Sequence, residues 1–114
     1  MRKILVIAMT ICMLLTVAAS AATNAVSAVP GLSYTGNTAN CSGTVTAAGQ
    51  SIVAVVSIWR GNAILDSWSD SGSNMVSIEE TYDDCISNVS YTVKLSGTVG
   101  GVSFGTKSIT RTCP

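Results

Sequence analysis

The side chains able to do chemistry in this chain are few, and their spacing argues against most catalysis. Histidine is absent, which removes the commonest general base and the commonest metal ligand together. Asp66 and Asp70 flank Trp68, and two carboxylates beside an aromatic would suit glycoside hydrolysis. No other residue supports that chemistry, and a loop Asp followed by Ser and Gly is ordinary turn composition. Glu79, Glu80, Asp83 and Asp84 form an oxygen-rich cluster, but their spacing matches no calcium loop. A solvated, charged strand edge is the expectation there. The many serines have no histidine partner, and Lys94 and Lys107 stand in no serine–lysine signature. The sequence therefore implies no enzyme, no metal and no cofactor.

The remaining reactive groups are thiols. Cys12 lies inside an apolar run near the N-terminus, and Cys41, Cys85 and Cys113 lie beyond it. Arg2-Lys3 precedes the apolar stretch Ile4 to Val17, and small residues follow to Ala28. A basic start, a short apolar run and a small-residue zone make a secretory signal peptide, expected over residues 1–28. Cleavage could follow Ala21, Ala25 or Ala28, and Ala28 is preferred. The apolar run is shorter than the roughly 20 residues a membrane helix needs. The mature chain is then a single extracellular domain, residues 29–114, with no membrane attachment. It keeps four basic and six acidic residues, too weak a charge to suggest a nucleic-acid partner. A domain this small gains from a disulfide, and an oxidising compartment would leave three cysteines as one bridge and one odd thiol.

The elements that must position these groups read as strands. Cys41–Ala47 alternates apolar and hydroxylated residues, whereas Ile52–Trp59 is apolar on both faces. Ala48-Gly49-Gln50 reads as a turn between them. Arg60-Gly61-Asn62 reads as a tight turn into a return strand, Ala63–Trp68. Ser69–Asn74 has loop chemistry throughout. Met75–Tyr82, a strand opening at Tyr91, and Val102–Thr112 complete six strands. Asp83–Asn88 is a polar connection, Gly100-Gly101 closes the last hairpin, and Leu32–Tyr34 offers a possible seventh strand. The spacing predicts an all-β, two-sheet antiparallel sandwich of six to seven short strands.

Tyr91-Thr92-Val93-Lys94-Leu95 has the form Y-x-V-x-L after a turn. It resembles the tyrosine corner of fibronectin type III and immunoglobulin-like domains. The stretch from Cys41 to the C-terminus is similar to small secreted bacterial sandwich proteins. The resemblance implies a fold and no activity. An antibody-type domain would carry a second core cysteine two residues after the tyrosine, where this chain has Val93, so that disulfide is not carried over. In such a topology Cys41, Cys85 and Cys113 all lie at one pole. Cys41–Cys85 is the preferred pair, with Cys41–Cys113 the alternative.

The function expected is a secreted, non-catalytic binding module for an extracellular glycan or protein. Trp68, Arg60, Asn62 and Asp70, on the loops 60–62 and 69–74, are the candidate contact residues. Trp59, ending an apolar strand, is expected to be buried. The alternatives are a structural or assembly subunit, joined through the odd cysteine or an open edge along the last strand, and a bacteriocin-like antagonist. Monomer and disulfide-linked dimer are both compatible with the composition.

Overall fold

The computed structural model describes residues 26–114, and most of the predicted signal segment lies outside them. Six antiparallel strands are present and no helix among the described residues: β1 (Ser27–Thr35), β2 (Thr38–Arg60), β3 (Ala63–Tyr82), β4 (Ser90–Val99), β5 (Val102–Ser103) and β6 (Lys107–Thr112). The all-β antiparallel expectation holds. The strands are not all short, however, for β2 and β3 run 23 and 20 residues without a break.

These two strands form one long ribbon folded over at its middle. The near half of β2 pairs β1 on one side and the far half of β3 on the other. The far half of β2 pairs the near half of β3 on one side and β4 on the other, and β6 then pairs β4. One layer therefore has three strands and the other four, the distribution of a fibronectin-like sandwich. The layers meet face to face: a side chain placed on Gly43, in the near half of β2, would strike Val56 in the far half and Leu95 in β4.

The fold-over explains two departures from the sequence reading. Ser69–Asn74 is strand and not loop: Ser69 pairs Val55, Ser71 pairs Val53 and Ser73 pairs Ser51. The apolar partner strand supplies the hydrogen bonds, and Ser69 and Ser71 turn their hydroxyls to solvent, so the turn-like composition is overruled. Ala48-Gly49-Gln50 does not separate two strands but forms the bend within β2, between the pairs Ala47–Asn74 and Ser51–Ser73. Gly49 and Asn74 both take positive φ there, 74° and 71°. The Asn74 side-chain oxygen accepts the Gly49 N–H at 2.7 Å, which fixes the corner.

Alternation sets the core. Before the corner the buried core-facing positions of β2 are odd, from Ala39 to Ala47; after it they are even, from Ile52 to Ile58, and Ser57 is buried on the outer side. In β3 the core-facing positions stay even throughout, Val76 and Ile78 being buried. Tyr91, Val93 and Leu95 of β4 and Leu32 of β1 close the interior. The single last strand expected over Val102–Thr112 is divided, with Phe104–Thr106 interrupting it and Gly105 at φ 85°. The strand expected at Leu32–Tyr34 extends over all of β1. Ser27 pairs Thr46 and Ala28 pairs Val45, so a cut after Ala25 leaves β1 whole, whereas a cut after Ala28 trims its first two residues.

Candidate functional site

The four-stranded layer turns one broad face to solvent. The residues that face outward along β2 are Val53, Val55, Ser57 and Trp59, the positions between the buried Ile52, Ala54, Val56 and Ile58. Most of their neighbours in register are hydroxylated, Ser67, Ser69 and Ser71 on β3 and Thr92, Ser96 and Thr98 on β4, while the β3 neighbour of Trp59 is the exposed Ile64. Two cross-strand hydroxyl pairs extend the face to β6, Thr92 with Thr110 at 2.7 Å and Ser90 with Thr112 at 2.8 Å. No Asp or Glu lies among the outward positions of these strands, and Lys94 is the charged residue in their midst.

Trp59 is the aromatic on this face. Its indole N–H donates to the Ser57 hydroxyl at 2.8 Å, and the Lys94 ammonium stands 4.1 Å from the ring centroid. The ring and the lysine together cover Ser57, which is only 7% exposed. A cation over an indole contributes about 0.5–1 kcal/mol at a partly exposed site, and here it also holds the ring in one orientation. Sequence reasoning placed Trp59 inside because Ile52–Trp59 is apolar on both faces. The strand is central, so its outward positions are half-covered by neighbours, and Val53, at 48% exposed, shows the same pattern. Alternation from Ile58 was the signal that could have found Trp59.

The candidate residues from the sequence do not converge. Arg60 and Asn62 are exposed at the β2–β3 hairpin tip, beside Trp59. Trp68 pairs Val56 and packs half-buried against the core, on the opposite face of its strand from the serines. Asp66 and Asp70 pair Ile58 and Ala54 and point to the same inner side, where they stand exposed at the rim because β3 is an edge. Asp70 also accepts the Ser71 N–H at 2.8 Å. Arg60 and Asn62 therefore share a neighbourhood with Trp59, and Trp68 and Asp70 with the edge of the interior.

At one pole the connection between β3 and β4 meets the turn between β1 and β2 and the residue that follows β6. The Tyr91 hydroxyl, on a residue 1% exposed, accepts the Ile86 N–H at 2.8 Å, which is the bond expected of a tyrosine corner. Cys85 donates its N–H to the Asn37 carbonyl, and Cys113 bonds through both backbone groups to Asn88 and Val89. Cys41, Cys85 and Cys113 are three free thiols here, each 4% exposed or less. Burial pushes the Cys41 thiol up to about 12, with Cys85 adding to it. Burial likewise raises Cys85, followed by the neighbouring Cys113. Thiols so held are poor nucleophiles. Tyr34 packs against Tyr91 at 6.5 Å between centroids, and its hydroxyl donates to the Arg111 carbonyl at 2.8 Å. Burial pushes that phenol up to about 12.

Among the described residues no group of three or more Cys, Asp or Glu is placed to hold a metal ion, and no helix is long and apolar enough to cross a membrane. Glu79 and Glu80 take opposite faces of β3, paired with Ser42 and Cys41.

No family model and no curated protein matches the sequence. Among solved structures, wild-type OgpA from Akkermansia muciniphila superimposes on 77% of this chain with a TM-score of 0.54 at 16% identity. The match takes in 28% of the OgpA chain, so this chain corresponds to a minor part of that protein. At that identity the likeness is one of fold alone.

Proposed function

We propose that this chain is a secreted, non-catalytic sandwich module that binds an extracellular glycan across the outward face of its four-stranded layer. The observation that carries the reading is the oriented Trp59 ring, with Lys94 upon it, set in a hydroxylated face free of carboxylates. An amphipathic indole gives a sugar ring a surface to stack on, and flanking hydroxyls exchange hydrogen bonds with it without a large desolvation cost. Arg60 and Asn62 extend the same neighbourhood at the hairpin tip. A protein partner would use the same aromatic as an anchor. Export rests on the basic and apolar pattern of the first 28 residues.

The test is a glycan array followed by titration calorimetry on any hit, comparing the parent with Trp59→Ala and Trp68→Ala. Loss of at least tenfold in affinity on Trp59→Ala, with Trp68→Ala binding normally, supports the reading. Binding that survives Trp59→Ala, or a blank array together with a captured protein partner, overturns the glycan assignment. The bridge expected in an oxidising compartment is Cys41–Cys85, with Cys41–Cys113 the alternative; all three thiols are buried. Intact mass after alkylation, before and after reduction, then peptide mapping, identifies the pair.

A further inference from the structure

Among the described residues, two strands of the four-stranded layer have one long side without a strand partner: β3 pairs β2, and β6 pairs β4. An open strand edge invites another strand, and proteins normally guard it with charge. Both edges carry charge, but of opposite sign and at matching places. On β3 the residues turned to the inner side are Asp66, Trp68 and Asp70, paired with Ile58, Val56 and Ala54. On β6 they are Lys107, Ile109 and Arg111, paired with Leu95, Val93 and Tyr91. Each edge thus presents charge, apolar group, charge at two-residue spacing. Trp68 and Ile109 are half-buried against the core, while all four charged side chains are exposed.

We infer that a second copy of this chain is the partner of these edges, with β3 of one copy pairing β6 of the next. Within the layer β3 and β6 run in opposite directions, because β3 is antiparallel to β2, β2 to β4 and β4 to β6. Setting a copy beside another with the same face outward therefore makes the new contact antiparallel, as a continuing sheet requires. With Trp68 opposite Ile109, Asp66 falls opposite Arg111 and Asp70 opposite Lys107. On the outward side Ser67 meets Thr110 and Ser69 meets Ser108. Every cross-strand pair is complementary at once, and opposite charges directly across a sheet are stabilising.

The same charges exclude the competing arrangements. Pairing β3 with β3 sets aspartate against aspartate, and pairing β6 with β6 sets lysine or arginine against lysine or arginine; like charges opposite each other are destabilising. The edges therefore reject themselves and accept each other. A contact between two different surfaces repeats, giving a ring or an open filament. The contact does not use Cys41, Cys85 or Cys113, which are buried, and it is independent of the glycan reading. Tyr34 of β1 reaches β6 at the Arg111 carbonyl, so the Lys107–Ile109 end is the freer entry to this edge.

The experiment is sedimentation velocity over a concentration series, with and without reductant, on the protein as its host produces it. Three preparations are compared: the parent, Asp66→Lys/Asp70→Lys, and Lys107→Glu/Arg111→Glu. Circular dichroism checks the fold of each. The parent should form concentration-dependent oligomers that reductant leaves intact, and each charge-reversed protein should associate at least tenfold more weakly. An equimolar mixture of the two reversed proteins should assemble again, because the unaltered β6 of one meets the unaltered β3 of the other and the two reversed edges also match. A parent that remains monomeric at millimolar concentration overturns the proposal. So do reversed proteins that assemble as well as the parent, and so does a mixture of folded reversed proteins that stays dissociated.

Discussion

Replacing Gly43 with alanine is expected to destabilise this domain, although a glycine in the middle of a strand is ordinarily a weakness. Exchanging glycine for alanine where the backbone permits it usually stabilises by about 0.4–1 kcal/mol, because the unfolded chain has less freedom to lose. Gly43 takes no positive φ, so its backbone raises no objection. The obstacle lies across the core, where an added Cβ would come within 2.7 Å of a Val56 methyl and 2.8 Å of a Leu95 methyl. Neither group can simply retreat: Val56 and Leu95 are fully buried, and a β-branched side chain has little torsional choice. Overpacking of this kind costs about 1–3 kcal/mol. For a domain of this size each kcal/mol moves the melting midpoint by about 4–8 °C. The expected result is therefore a midpoint lowered by roughly 4–24 °C, read by thermal melts in the far ultraviolet and by urea titration. A second variant, Gly43→Ala/Val56→Ala, should recover part of the loss, since it removes one of the two obstructing side chains. If Gly43→Ala raises the midpoint instead, the two layers do not meet at this position and the fold-over of the ribbon is wrong.

Two further outcomes follow from the pole. Tyr91→Phe removes the acceptor of the Ile86 N–H at a part-buried corner, and should cost about 0.5–1.5 kcal/mol by chemical denaturation, the usual net contribution of one hydrogen bond; an unchanged midpoint refutes the corner's contribution. The fully reduced protein should lose stability as pH rises. The Cys41 thiol titrates near 9.0 when unfolded and is held up to about 12 when folded, so its contribution is complete below pH 9 and is lost as pH climbs toward 12. Urea midpoints measured from pH 8 to 11 should fall across that window, and a Cys41→Ser variant should flatten the slope; equal slopes in both proteins would refute the assignment to Cys41.

Much of the architecture was legible because period-two alternation was clean where one face is buried, as along Cys41–Ala47 and Tyr91–Leu95. The hairpin at Gly61–Asn62 and the corner tyrosine were legible for the same reason, each being a local pattern. What escaped was decided by neighbours far along the chain. Ser69–Asn74 reads as loop until the partner strand Ser51–Val55 is known, and only pairing turns its serines into an outer stripe. Trp59 and Trp68 exchanged places for a related reason. A central strand half-covers its outward residues, whereas an edge strand leaves even an inward tryptophan half-exposed. The convergence of three cysteines at one pole followed from topology and was within reach. The complementarity of the β3 and β6 edges was not, because no local pattern says which strands lie at the rim.

The bend within β2 bears on what lengths the chain can have there. Paired residues share a face, and across the corner β2 advances three residues more than β3, between Ala47–Asn74 and Ser51–Ser73. That odd excess is what carries the inward set from odd to even positions while β3 keeps its own. Deleting two residues from Ala48–Gln50 would leave an excess of one, and Ile52, Ala54, Val56 and Ile58 would still face the interior. Deleting a single residue would leave an excess of two, and with Ser51–Ser73 and the hairpin tip still paired, Ile52, Ala54, Val56 and Ile58 would face the interior again. The facing of the far half is thus set by its pairing with β3 and not by the length of the corner, so changes of length should be tolerated at these three residues, which have no part in the core.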